Sequence, residues 1–203
     1  MRTLVNSLRL VVVIAVAIAV VAQLQHALSA GTFRSWDFFG YFTIQSNLIV
    51  AAAFAWTVIA SGRRRTRGTL DVVRGAATVY IATTGVVFNT LLAEASLAAN
   101  FDLQWASDVM HKVVPLYAVL DWLLFSDRGR LALRQVWWFL LYPAVWLAVV
   151  LVRGVTDGWV PYPFLDPDLG YGAVALYAAG IAVFITLMGV LVVGMSRLRL
   201  VRV

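Results

Sequence analysis

Six charge-poor apolar runs, each about twenty residues or longer, constrain this chain more than any other feature. They cover roughly residues 8–28, 38–60, 72–97, 106–126, 132–152 and 173–196. At about 1.5 Å of rise per residue, each is long enough as a helix to cross the ~30 Å hydrocarbon core of a bilayer. Inside that core every backbone N–H and C=O must be satisfied by the chain itself, which a helix does. The composition agrees: 62% of residues are apolar and 13% charged, against ~45–50% and ~25% in ordinary soluble domains. An ordinary soluble enzyme is excluded. The expected fold is all-α, a polytopic membrane protein with six transmembrane helices forming a single domain over 1–203. No loop is long enough for a separate soluble domain.

Arginine and lysine set the expected orientation. Arg2, Arg9, Arg63, Arg64, Arg65, Arg67, Arg74, Arg128, Arg130, Arg134, Arg197, Arg199 and Arg202 fall on one side, and only Arg34, Lys112 and Arg153 on the other. The alternation holds through every loop, so the positive-inside rule places both termini in the cytoplasm and the protein in the plasma (inner) membrane. Sorting by loop also accounts for the net charge of +6 without nucleic acid as a partner. The first run, ending Ala27-Leu28-Ser29-Ala30, also has the pattern of a secretory signal; its removal would leave five spans in the same orientation. There are no cysteines and only two histidines, so no metal site or cofactor is expected. Zincin, nucleophile-elbow and phosphate-loop motifs are absent.

Polar side chains are costly in hydrocarbon, so those within the runs are informative. In the second run, Thr43, Ser46 and Asn47 share a helical face. In the fourth, Asp108, His111 and Pro115 share another. If these helices begin near 38 and 106, Thr43 and His111 both lie about 7 Å below the outer boundary. A hydroxyl and an imidazole at equal depth on two helices suit nucleophilic catalysis, with Asp108 holding the ring. The same residues would also serve as interhelical hydrogen bonds or as an interfacial histidine. Pro115 is expected to bend its helix and free a carbonyl. Asp121, toward the inner half, is expected to be structural, with Arg128 or Arg134 as partner. Asn89 and Glu94 stand near the outer end of the third run. Arg153 ends the fifth, within reach of Asp157 or of an anionic group. The longest loop, about 153–172, is rich in aromatics, proline and glycine, as suits an ordered lid or an aromatic belt.

Four segments carry a resemblance. They are Gly40-Tyr41-Phe42-Thr43-Ile44-Gln45-Ser46-Asn47-Leu48, Met110-His111-Lys112-Val113-Val114-Pro115, Asp121-Trp122-Leu123-Leu124-Phe125 and Gly158-Trp159-Val160-Pro161-Tyr162-Pro163-Phe164-Leu165-Asp166. They resemble the androgen-induced-protein-like membrane hydrolases and, more closely, their bacterial Pr-six-Pr six-helix relatives. The resemblance implies six helices. From the eukaryotic branch it implies hydrolysis of fatty acid esters of hydroxy fatty acids by an intramembrane threonine with a histidine base, which fall on Thr43 and His111. The expected activity is therefore a threonine-type ester hydrolase acting on a lipid-like substrate near the outer leaflet. Ser46, Asn47 or Asn89 would stabilise the oxyanion, and Arg153 would hold a substrate carboxylate. The rival expectation is a non-catalytic protein that binds or carries a lipid or small amphiphile in the same place.

Overall fold

The computed structural model describes residues 1–31, 33–61, 67–93, 103–198 and 200–201. The described residues are helical, with three positive-φ glycines at turns and no strand. We number the long helices α1 (Arg2–Ser29), α2 (Phe42–Ile59), α3 (Arg67–Val87, continued by a π turn at Phe88–Leu92), α4, α5 (Val136–Thr156) and α6 (Tyr171–Met195). α4 is composite: Gln104–Asp108, a π turn at Val109–Val113, then Val114–Leu124. Among the described residues, five helices are long and apolar enough to cross a membrane; α4, interrupted by its π turn, stands apart from those five. Their outward faces are aliphatic and exposed, as in Leu4, Leu8, Val11 and Ile18 of α1. Such faces suit lipid as solvent.

The second helix begins later than its apolar run. Ser35–Phe38 forms a separate turn, and the chain re-enters the bundle at Phe42. Thr43 is therefore the second residue of α2, not a full turn inside it. Gly40 permits this sharp entry: a Cβ there would lie 2.5 Å from the Trp159 ring and 2.8 Å from the Trp36 carbonyl. Trp146 Nε1 donates to the Gly40 carbonyl at 2.8 Å.

α3 is the central helix. Its most apolar window is 61% buried, against 22% for α5 and α6, and it packs on α2, α4 and α6. Its hydroxyls do not leave polar groups stranded there. Thr78, Thr83 and Thr84 each donate to the carbonyl four residues back, at 2.9, 2.8 and 3.1 Å, a bond a helix always offers. Gly85 sets the α3–α4 distance, because a Cβ there would stand 2.8 Å from Pro115 Cβ and 3.2 Å from the His111 carbonyl. Both neighbours are stiff, so Gly85→Ala should push the helices apart and cost about 1–3 kcal/mol. A lowered unfolding midpoint in detergent checks this.

At the end opposite Thr43, three buried charges and the part-buried Asp127 join α1, α3 and the end of α4. Arg9 of α1 meets Asp121 at 2.8 Å and Asp127 at 2.6 Å; Arg74 of α3 meets Asp121 at 2.9 Å and Asp127 at 3.2 Å. The expected partners of Asp121 are thus replaced. Arg128 instead donates to the carbonyls of Phe125 and Met195 and lies over the Trp122 ring. Arg9 and Arg74 reach Asp121 because α1 and α3 flank α4, a neighbour relation that loop position does not reveal. Burial alone would raise the Asp127 carboxyl; the two guanidiniums outweigh it and hold it well below the usual carboxylate range.

Candidate functional site

Thr43 and His111 are in contact: Thr43 Oγ1 lies 3.1 Å from His111 Nε2. The contact follows from local irregularities in α3 and α4. In the α4 π turn, the Val114 N–H bonds the Val109 carbonyl, one residue further back than in an α-helix. That leaves the Met110 carbonyl open. Pro115 has no N–H, so the His111 carbonyl is left open too. Asn47 Nδ2 donates to the first at 3.2 Å and Asn89 Nδ2 to the second at 3.1 Å. The two amides thereby lock α2 and α3 onto the widened stretch of α4. The π turn ending α3 carries Phe88, which stacks on the His111 ring with centroids 3.6 Å apart and planes 13° off parallel. Single π turns within α-helices are frequent at functional sites, and here two of them meet.

The tautomer of His111 is decided by a carbonyl. Its Nδ1 lies 2.9 Å from the Ser107 carbonyl oxygen and 3.1 Å from Ser107 Oγ. A carbonyl only accepts, so Nδ1 carries the proton and Nε2 presents a lone pair to Thr43. Thr43 Oγ1 then donates to Nε2. His111 is buried at 5% exposure, which shields this pair from competing water.

The other expected site residues are placed as follows. Asp108 makes its hydrogen bonds elsewhere, pairing with Lys112 at 2.5 Å and accepting from Gln104 at 3.3 Å. Ser107, one residue earlier, takes the orienting position because the π turn rotates the following residues relative to α-helical spacing. Ser46 Oγ donates to the Thr43 carbonyl at 3.1 Å and contacts Thr84 Oγ1 at 2.7 Å. Asn47 also donates to the Thr43 carbonyl, at 2.9 Å, and Asn89 to that of Gly85, at 2.7 Å. Both amide hydrogens of each asparagine are therefore spent on backbone carbonyls. These three residues shape the backbone around the pair and do not aim a donor at Thr43 Oγ1. Arg153 is held by Asp37 at 2.6 Å and Asp157 at 2.7 Å and lies over the Trp159 ring. It ties the last loop to the Ser35–Phe38 turn and does not line the cavity described next. Glu94 lies outside the described residues.

Beside Thr43 a cavity of about 320 Å³ opens between α3, α5 and α6, under the last loop. Its size is at the lower end of small-molecule sites, roughly 300–1,000 Å³. Phe88, Trp146, Leu147, Ala178 and Ile185 give it almost wholly apolar walls, with Thr43 and the Tyr162 ring at one end. The last loop is ordered by two 3₁₀ turns, Pro163–Leu165 and Pro167–Leu169. Phe164 and Leu165 are buried beneath it. Tyr162 reaches α2: its Oη accepts from the Thr43 N–H at 3.4 Å and lies 3.5 Å from Thr43 Oγ1. Burial pushes its phenol up to about 12, so the proton stays on at neutral pH. Among the described residues no group of acidic, histidine or cysteine side chains is arranged to hold a metal ion.

Sequence reading missed Tyr162, Ser107 and Phe88. The aromatic loop was a signal for the first. The other two depend on π turns, which have no signature in residue periodicity. Comparison of the chain with protein-family models, curated proteins and solved structures finds no match.

Proposed function

We propose that this protein is an intramembrane threonine hydrolase that cleaves a lipid-like ester near the outer leaflet. The observation that carries the reading is the Thr43 Oγ1–His111 Nε2 contact at 3.1 Å, with Thr43 in the wall of an apolar cavity. His111 takes the Thr43 proton as Oγ1 attacks the ester carbonyl. The acyl group is then held on Thr43, the alcohol leaves with the proton from His111, and water releases the acid. The cavity walls offer the apolar surface that an acyl chain needs, and the site's place at the start of α2 gives water a short path. In this reading the chain crosses the plasma membrane six times, α4 included, with both termini cytoplasmic. The arginine-rich loops support that orientation. The resemblance to the six-helix membrane hydrolases supports the same chemistry. A lipid-binding or lipid-carrying protein would use the same cavity and would need the imidazole–hydroxyl contact only as a hydrogen bond between helices; the fixed tautomer with its lone pair on the hydroxyl is what favours the hydrolase.

The test is covalent labelling of the folded protein with a fluorophosphonate. Wild type should label on Thr43, and Thr43→Ala should not label at all. An unlabelled wild type, with a control hydrolase labelling in the same detergent, would sink the hydrolase reading in favour of lipid binding.

A further inference from the structure

We propose that Tyr162 is a catalytic residue that donates its phenolic hydrogen to the substrate carbonyl oxygen as that oxygen becomes anionic. The proposal rests on Thr43 acting as nucleophile. When Thr43 Oγ1 bonds to the carbonyl carbon, its proton passes to His111 Nε2. The C=O π pair moves onto oxygen, and that oxyanion must be met by a donor in a site with almost no polar surface.

The polar side chains named for this role are committed elsewhere. Asn47 and Asn89 give both their amide hydrogens to backbone carbonyls. The Ser46 hydroxyl is shared between the Thr43 carbonyl and Thr84. Arg153 is paired at the rim with Asp37 and Asp157. Tyr162 is differently placed. Tyr162 lines the same cavity as Thr43, and its Oη lies 3.5 Å from the nucleophilic oxygen, so an oxygen one bond beyond the attacked carbon falls within its reach. Its oxygen accepts from the Thr43 N–H. Thr43 Oγ1 gives its one hydrogen to His111 Nε2, so across the 3.5 Å contact the Tyr162 hydroxyl is the donor; its hydrogen already points into the reacting site and needs only a small rotation to meet the oxyanion formed beside Thr43. The ring is braced for this role by Tyr41, Trp146 and Phe164, with centroids 6.0, 5.9 and 5.4 Å away. The N-cap residue of α2, Tyr41, offers no side-chain bond to the helix start. Tyr162 therefore also ties down the turn that carries the nucleophile.

The experiment measures the rate of Thr43 labelling by a fluorophosphonate, in which charge builds on the phosphoryl oxygen as fluoride leaves. Tyr162→Phe should slow labelling roughly 10²–10³-fold, with the same dependence on pH as wild type, because His111 is untouched. A residue that only caps α2 would lower the unfolding midpoint and leave the labelling rate of the folded fraction at the wild-type value, which would overturn the proposal. If the phenylalanine variant does not fold, 3-fluorotyrosine at position 162 decides. Its more acidic hydroxyl should speed labelling, and an unchanged rate overturns the proposal. The two readings separate cleanly. Wild type labelled on Thr43 beside an unimpaired Tyr162→Phe removes Tyr162 alone; wild type that never labels removes the threonine reading and Tyr162 with it.

Discussion

His111→Ala should slow turnover of a fluorogenic fatty ester by roughly 10²–10⁴-fold, the usual contribution of a positioned general base. Two features support a loss of that size. The lone pair of Nε2 faces Thr43 Oγ1 at 3.1 Å, and the opposite ring nitrogen is held by the Ser107 carbonyl at 2.9 Å. The imidazole is thus fixed in the tautomer and orientation needed to take a proton, with Phe88 stacked against its face. Alanine removes the base and leaves a threonine hydroxyl that is a poor nucleophile near neutral pH. Thr43→Ala should be at least as severe. The double variant should be no slower than Thr43→Ala alone, because residues that act as one unit lose their effects non-additively. Multiplied losses would show that the two side chains work separately. Ser107→Ala should cost far less, since the carbonyl that sets the tautomer belongs to the backbone. Steady-state rates of the four variants, on protein with an intact unfolding transition, check all of this.

Asp121→Ala should be the most damaging single substitution for folding. Arg9 is 0% exposed and Arg74 2% exposed, and Asp121 bonds both. Its removal leaves two buried guanidiniums with Asp127 as their remaining carboxylate. Breaking a buried pair from one side costs about 3–5 kcal/mol, because the surviving charge is stranded out of water. Total stabilities lie near 5–15 kcal/mol, so much of the folded population is at stake. Thermal unfolding in detergent should show a large fall in midpoint, with Asp121→Asn changing it in the same direction. The double change Arg9→Met with Asp121→Leu removes one charge of each sign and leaves Arg74 paired with Asp127. It should recover much of the loss, as apolar replacements of buried ion pairs do. A double variant as unstable as Asp121→Ala would show that the network contributes through something other than charge balance.

The legible part of this protein was written in patterns that depend only on neighbours along the chain. A membrane-length apolar run is helical because hydrocarbon leaves its backbone no other partner, so the helices could be read directly, with ends shifted by a few residues. The start of α2 was misjudged because Phe38-Phe39-Gly40-Tyr41 is as apolar as the helix it precedes. What breaks the run there is the close approach of Trp159 to Gly40, a contact across more than a hundred residues. Thr43 and His111 could be singled out because a hydroxyl and an imidazole in hydrocarbon are costly enough to need a reason. Pro115 could be expected to free a carbonyl, since proline has no N–H wherever it stands.

Their meeting at 3.1 Å was a matter for the tertiary structure, since it depends on which helices are neighbours. So was the choice of Ser107 over Asp108 as the group that orients the imidazole. Helical spacing puts Asp108 on the right face, but the π turn shifts the register by one residue, and backbone carbonyls carry no mark in the sequence. The partners of Asp121 were hidden for the same reason: arginines on α1 and α3 reach it only because those helices flank α4. Residue types and their period determined that the chain is a bundle of membrane-length helices with a few costly polar groups. Packing, through Gly85, Pro115 and two π turns, decided which of those groups face one another.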